Sequence, residues 1–366
     1  MTRRIALVVG PTAGHVHPAI AIADAYRAAF PDVAVVFVGA PSGPALRLLA
    51  ARGITLETVS ASPIAGAGLA SRLTAVANVV PTIVQARRVL RKHETRLAIG
   101  VGGYASGGVL LAARSLGART VIHEANVVPG LANYLLARVA HRVHQGLASR
   151  SADVAGRGRV VTGHPVRAEI AALAEAMPTA PSQPGTVRVF VTGGSRGGRF
   201  LAEHVPDLVA RIGQLGVAIE VLHHAGEIDA DAVRDVYRAR GVKATIAGDF
   251  ADMAQVYRWA HFVIARAGAG TLAELATAAL PALLVPLADA AGDHQSHNAR
   301  LFGEDGAAMW AREAAWQADE LAARVAALLG DAGAWRAASR AARALATPDA
   351  AARIVADCER LMSGRW

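Results

Sequence analysis

Two glycine-rich turns, one carboxylate and one polar loop are the parts of this sequence whose spacing can do chemistry. The turns read Gly10-Pro11-Thr12-Ala13-Gly14-His15 and Gly193-Gly194-Ser195-Arg196-Gly197-Gly198, each directly after an apolar run. Such a turn lets backbone N–H groups and a helix N-terminus face an anion without side-chain obstruction. One turn alone is as often a plain tight connection; two at matching positions in two halves carry more weight. The carboxylate is Glu274, in Arg266-Ala267-Gly268-Ala269-Gly270-Thr271-Leu272-Ala273-Glu274. It can serve as a helix-dipole partner or accept hydrogen bonds from both hydroxyls of a ribose, and the residues alone leave both readings open. The polar loop, Asp289 to Asn298, is dense in neutral donors and acceptors of the kind that read sugar hydroxyls.

Two common phosphate-binding classes are excluded. A P-loop NTPase needs Gly-Lys-Ser/Thr, and no Gly-Lys pair occurs. A dinucleotide-binding enzyme needs an acidic residue where the second strand ends, and that strand ends at Val38-Gly39-Ala40. Asp229-Ala230-Asp231 resembles a metal-binding Asp-x-Asp, but it precedes a helix, where the dipole favours acidic residues. His223 and His224 are adjacent in a strand and point to opposite faces, so a shared ion is not expected.

The elements that must position these parts repeat as strand, glycine turn, helix. Ile5–Val9, Ala34–Val38, Leu97–Gly100 and Thr120–His123 form one series of short apolar strands. Val187–Val191, Ile219–His223, Phe262–Ala265 and Ala282–Val285 form a second. Such runs alternating with helices indicate an α/β protein with two parallel sheets. The proline-rich stretch 177–185 reads as the linker between a domain at 1–176 and another at 186–345. The closing segment 346–366 is a helix expected, by analogy, to pack back on the first domain.

Composition narrows the class further. The 366 residues are 53% hydrophobic and 18% charged, which argues against disorder and allows two cores. Cys358 is the only cysteine, so no internal disulfide forms and a reducing, cytoplasmic compartment is expected. No secretory signal is read at the start, and the longest apolar stretch, Leu275 to Ala288, is broken by Pro281 and Pro286. A soluble or peripheral protein is therefore expected. The net charge of +9 calls for an anionic partner. Arginines scattered among alanines without aromatic interleaving give no case for nucleic acid. The segment 69–97 combines Val76, Val79, Val80, Ile83, Val84 and Leu90 with Arg72, Arg87, Arg88, Arg91 and Lys92. It reads equally as a patch for an anionic membrane surface or as a crossover helix packed on its sheet.

Taken in order, the motifs resemble the MurG-type family of UDP-N-acetylglucosamine transferases, along essentially the whole chain. They are Gly14-His15; Gly102-Gly103-Tyr104-Ala105-Ser106-Gly107; His123-Glu124-Ala125-Asn126; Gly163-His164-Pro165-Val166-Arg167; Gly193-Gly194-Ser195; Asp252-Met253; the Glu274 segment; and His294-Gln295 with Asn298. The resemblance implies a GT-B fold, two Rossmann-like domains with parallel sheets facing across a cleft. It places a UDP-sugar donor mainly on the C-terminal half. Gly194 and Ser195 would meet the diphosphate, the backbone near Phe250 the uracil with Arg167 nearby, and Glu274 the ribose. Asn126, His294, Gln295 and the Ala269 turn would contact the sugar. Thr12, Gly14, Tyr104 and Asn126 would face the acceptor. Inverting transfer needs a base for the acceptor hydroxyl, and His15 is assigned that role, because imidazole's ordinary pKa of ~6.5 suits proton uptake near neutrality. No metal or other cofactor is required by this chemistry.

The sequence departs from the family pattern at Pro11 and Ala13, where glycines are usual, at Ala65-Gly66-Ala67, where the family carries a basic element, and at Ala125. All three lie nearer the acceptor side. The expected acceptor is lipid I of peptidoglycan synthesis. The alternatives are a different lipid-linked glycan or small-molecule acceptor, and a UDP-sugar epimerase on the same fold.

Overall fold

The computed structural model describes residues 2–41, 43–61, 69–147, 158–182, 184–194 and 198–364. Two compact units emerge: residues 1–167 with 349–366, and residues 168–348.

The first unit is built on a seven-stranded sheet in the order β3-β2-β1-β4-β5-β6-β7. Its strands are β1 (Arg4–Val9), β2 (Ala34–Gly39), β3 (Leu56–Thr58), β4 (Leu97–Gly100), β5 (Arg119–Glu124), β6 (Arg142–Gln145) and β7 (Arg159–Val161). Every neighbouring pair is parallel. A parallel sheet is covered on both faces, so its strands read as unbroken apolar runs. In β1, Ile5, Leu7 and Val9 belong to one core, while Ala6 and Val8 belong to the core on the other face. The first of these cores is closed by the last helix, Ala350–Met362, through Ile354, Val355, Cys358 and Leu361. Burial pushes the Cys358 thiol up to about 12, which keeps it protonated and unreactive.

The second unit carries a six-stranded sheet, β10-β9-β8-β11-β12-β13, again wholly parallel. The strands are β8 (Val187–Thr192), β9 (Ile219–His224), β10 (Lys243–Ala247), β11 (Phe262–Ala265), β12 (Ala282–Leu284) and β13 (Ala308–Trp310). Its fully buried Trp335 donates from Nε1 to the carbonyl of His261 at 2.9 Å, tying the helix Ala332–Ala344 to the sheet.

The boundary corrects the expectation from the proline-rich stretch. The chain changes unit after Arg167, so 168–176 belong to the second unit, as do the described residues of 177–185. The cause is specific. The Arg343 guanidinium donates to the carbonyls of Leu173, Ala174 and Ala176, which anchors this segment immediately before the prolines.

Candidate active site

Both sheets reverse their strand order beside the first strand of the unit, between β1 and β4 and between β8 and β11. In an open α/β sheet, the loops leaving the carboxyl ends of strands at such a point splay apart and leave room for a ligand. The glycine turns identified from sequence are the loops after β1 and β8, so each unit has its turn at the position where a ligand fits.

In the second unit, Gly194 adopts φ 60 and its N–H donates to the Thr192 hydroxyl at 3.3 Å. The helix Gly198–Gln214 follows. Ser195 lies outside the described residues. After β11, Ala269 is the first residue of the helix Ala269–Ala278. Its N-cap is Gly268, with no capping side chain and no acidic residue in the first turn. This leaves an N-terminus suited to an anion or a polar oxygen.

Glu274 lies beyond that first turn, which removes the helix-dipole reading. Its Oε2 instead accepts from the Tyr257 hydroxyl at 2.8 Å. Tyr257 packs edge-on against Phe190 at 5.9 Å between centroids, and Phe250 packs on the same ring at 6.0 Å. The structure thus joins Phe250 and Glu274, assigned to the uracil and the ribose, through one aromatic strip. Beyond them, Gln295 Oε1 accepts from the Leu287 N–H at 3.0 Å, which fixes the side-chain amide against the loop after β12. Asn298 is fully buried and donates to the Ala267 carbonyl at 3.1 Å, so its role is to brace the turn. Arg266, also buried, donates to the carbonyls of Val285 and Pro286 and pairs with Glu313 at 2.6 Å. His294 is half-buried at the start of the helix His294–Glu304. Asp229 caps a helix by accepting from the Asp231 N–H, and His223 bonds the Tyr237 hydroxyl at 2.9 Å.

In the first unit, His15 stands in the first turn of the helix Ala13–Ala29, with Nδ1 2.9 Å from the Thr12 hydroxyl. Its ring lies against Gly102, which has φ 112. A Cβ there would come within 2.5 Å of His15 Cδ2, so only glycine leaves the slot open. Tyr104, two residues on, is exposed, as is Gly14. Asn126 is half-buried after β5; its backbone N–H and its amide NH2 both donate to Glu124 Oε1, at 2.9 and 3.2 Å. Arg167 is the last residue of this unit's first segment and is half-buried.

The glycosyltransferase family 28 N-terminal domain matches residues 5–145, and the family 28 C-terminal domain matches residues 188–354. A protein of Aeromonas hydrophila subsp. hydrophila, named UDP-N-acetylglucosamine–N-acetylmuramyl-(pentapeptide) pyrophosphoryl-undecaprenol N-acetylglucosamine transferase, is 36% identical over 100% of this chain and 99% of its own length. The chain belongs to glycosyltransferase family 28. A protein of the same name from Alcanivorax borkumensis is 36% identical, with both chains covered in full. Among solved structures, Acinetobacter baumannii MurG is 26% identical with TM-score 0.77, covering 98% of this chain and 99% of its own. A putative UDP-N-acetylglucosamine 2-epimerase from Listeria monocytogenes shares the fold at 14% identity and TM-score 0.70, covering 100% and 98%. The architecture of this family 28 enzyme is the GT-B fold.

Sequence reasoning missed two residues that hold the site in shape. Tyr257, which orients Glu274, reads in sequence only as a core tyrosine on a short helix. Glu124 was noticed merely as part of a motif. It is buried and takes two further hydrogen bonds, from the Gly130 N–H at 3.2 Å and from Asn133 Nδ2 at 2.8 Å. Burial pushes its carboxyl up while these donors hold it down. A glutamine at 124 has one acceptor oxygen for donors that now share two. Glu124→Gln in this family 28 enzyme is expected to lose about 1–3 kcal/mol of stability, read by denaturant unfolding, with turnover falling as Asn126 is released.

Buried histidines set a pH dependence of stability. Desolvation holds His164, His223 and His261 down at about 4, and His123 well below its ordinary value. The unfolded chain takes up these protons near pH ~6.5, the folded enzyme only near 4. The stabilisation is therefore present above ~6.5 and lost as pH falls through that window, by about 2 kcal/mol at pH 5 for His164 alone. Asp357, held at about 2 by the hydrogen bond from His144, loses its contribution only at lower pH. Thermal unfolding is expected at a clearly lower temperature at pH 5 than at pH 7.5; an unchanged midpoint would contradict the assignment.

Proposed function

We propose that this enzyme transfers N-acetylglucosamine, with inversion, from UDP-N-acetylglucosamine to undecaprenyl-diphosphate-linked N-acetylmuramoyl-pentapeptide, the lipid I step of peptidoglycan synthesis. The observation that carries the reading is Glu274, oriented by Tyr257 beside the Phe250 strip at the strand-order reversal of the second unit. A fixed carboxylate there suits the paired hydroxyls of a ribose. Full-length relatives bearing that activity in their names support the same donor and acceptor.

In this reaction the donor diphosphate meets the N–H groups around Gly194 and Ser195, with Arg167 near the uracil. The Ala269 turn, His294, Gln295 and Asn126 contact the sugar. His15 takes the proton of the acceptor hydroxyl on Nε2, while Nδ1–H is held by the Thr12 hydroxyl. The departing diphosphate carries developing negative charge, which the N-terminus of the helix Gly198–Gln214 suits. A second reading, transfer to a different acceptor, is favoured by Pro11, which removes one N–H donor from the acceptor-side turn. Purified protein given UDP-N-acetylglucosamine and a lipid I analogue, with mass analysis of products, decides. Disaccharide product supports the first reading, sugar transfer only to other acceptors the second. Conversion of UDP-sugar without acceptor would instead reveal an epimerase.

A peripheral place on an anionic membrane is part of the proposal. Among the described residues, no helix is long and apolar enough to cross a membrane. On the helix Leu69–Lys92, Thr82, Ala86 and Leu90 are buried, whereas Val80 and Val84 are exposed. Arg88, Arg91 and Lys92 are exposed as well. The two readings of this segment thus apply to opposite faces of one helix. Binding to vesicles containing anionic lipid is expected at low salt and is expected to weaken in high salt; absence of binding at low salt would remove the membrane role.

A further inference from the structure

In the first unit, His164 and His123 form a buried pair, His123 Nε2 lying 3.0 Å from His164 Nδ1. Neither ring is charged near neutrality, since burial holds both below their ordinary value; repulsion from His15 when that ring takes up a proton adds to the effect on His164. One proton must therefore lie between the two nitrogens, and the rest of the pair decides on which. His123 Nδ1 is buried and without a partner among the described residues. A buried N–H without an acceptor is rarer and costlier than a bare lone pair. His123 accordingly leaves Nδ1 unprotonated, carries its proton on Nε2 and donates it to His164. His144, paired with His123 in register, follows the same pattern: Nε2 meets Asp357 at 2.9 Å, and Nδ1 has no partner among the described residues. With His164 Nδ1 occupied as an acceptor, the His164 proton sits on Nε2, on the side of the ring away from His123.

We propose that His123 fixes the tautomer of His164, which presents an Nε2–H donor at the carboxyl end of the sheet, and that this donor holds an oxygen of the acceptor substrate, a hydroxyl or phosphate oxygen. The inference deepens the proposed function and rests on His15 facing the acceptor. His164 lies in the loop after β7, next to Gly146 after β6, so it shares the carboxyl end of the sheet with His15 and Asn126. A donor without charge suits this position, because a cation within electrostatic reach of His15 would oppose its protonation during transfer.

The test has one arm that needs no substrate. Nitrogen-15 NMR of the full chain labelled at histidine is expected to show His164 neutral with its proton on Nε2; a proton on Nδ1 would overturn the proposal even if the enzyme proves to be a lipid I transferase. In the second arm, His164→Leu is expected to lower kcat/KM for the acceptor by roughly tenfold or more, with UDP affinity unchanged. His164→Asn, whose carbonyl can accept from His123 while its NH2 donates outward, is expected to stay within about threefold of the parent. Leucine and asparagine variants that behave alike, both active or both impaired, would refute the donor role. Should the leucine variant fail to fold, the asparagine variant and the NMR arm still decide. A protein inactive toward every acceptor refutes the proposed function and leaves the tautomer result standing.

Discussion

His15→Ala is expected to lower kcat by roughly 10²–10⁴-fold, the usual worth of a positioned general base, while UDP binding stays at the parental level. The expectation follows from the ring's setting. Thr12 fixes one nitrogen, and Gly102 gives the ring a slot that no other residue type would leave open. The ring is thereby held in one orientation, and Thr12, the N-cap residue, spends its hydroxyl on the imidazole and makes no capping bond of its own. Steady-state kinetics with saturating donor and acceptor separates the roles. Loss in kcat identifies the base, whereas a rise in acceptor KM alone would reduce His15 to a binding contact. Turnover within threefold of the parent would take it out of the chemistry.

The second large effect is expected at Glu274. On the proposed assignment to the ribose, removing the carboxylate takes away two charge-assisted hydrogen bonds, each worth about 1.5–3 kcal/mol; it also leaves the Tyr257 hydroxyl without that acceptor. UDP affinity in Glu274→Ala is expected to fall on the order of 10²-fold or more. The sharper measurement compares UDP with 2′-deoxy-UDP by calorimetry. The parent should prefer the ribonucleotide strongly, and the alanine variant should scarcely distinguish the two. An equal preference in both proteins would move the ribose elsewhere.

How far the sequence announced this structure depended on what each residue had to bury. Ile5–Val9, Leu97–Gly100 and Phe262–Ala265 were legible because strands covered on both faces are apolar throughout. Leu56–Thr58, Arg159–Val161, Lys243–Ala247 and Ala308–Trp310 were missed; each is a sheet edge, short and partly exposed. Arg142–Gln145 was missed for another reason. It lies inside the sheet, but His144 is satisfied by Asp357, a partner 213 positions away that no local pattern could reveal. The same limit hid Tyr257 as the orienting partner of Glu274. Glycine turns, by contrast, announce themselves locally, because their backbone has to bend whatever lies opposite.

The first unit is discontinuous in sequence, residues 349–366 completing a body begun by residues 1–167. A chain leaving the ribosome therefore carries an open seam: Ile5, Leu7 and Val9 lack Ile354 and Leu361 until the final helix is made. The second unit has every one of its residues available earlier and can mature first, although it is encoded later than most of its companion. Truncation at the C-terminus should be felt at the opposite end of the gene product, in the sheet that begins at Arg4.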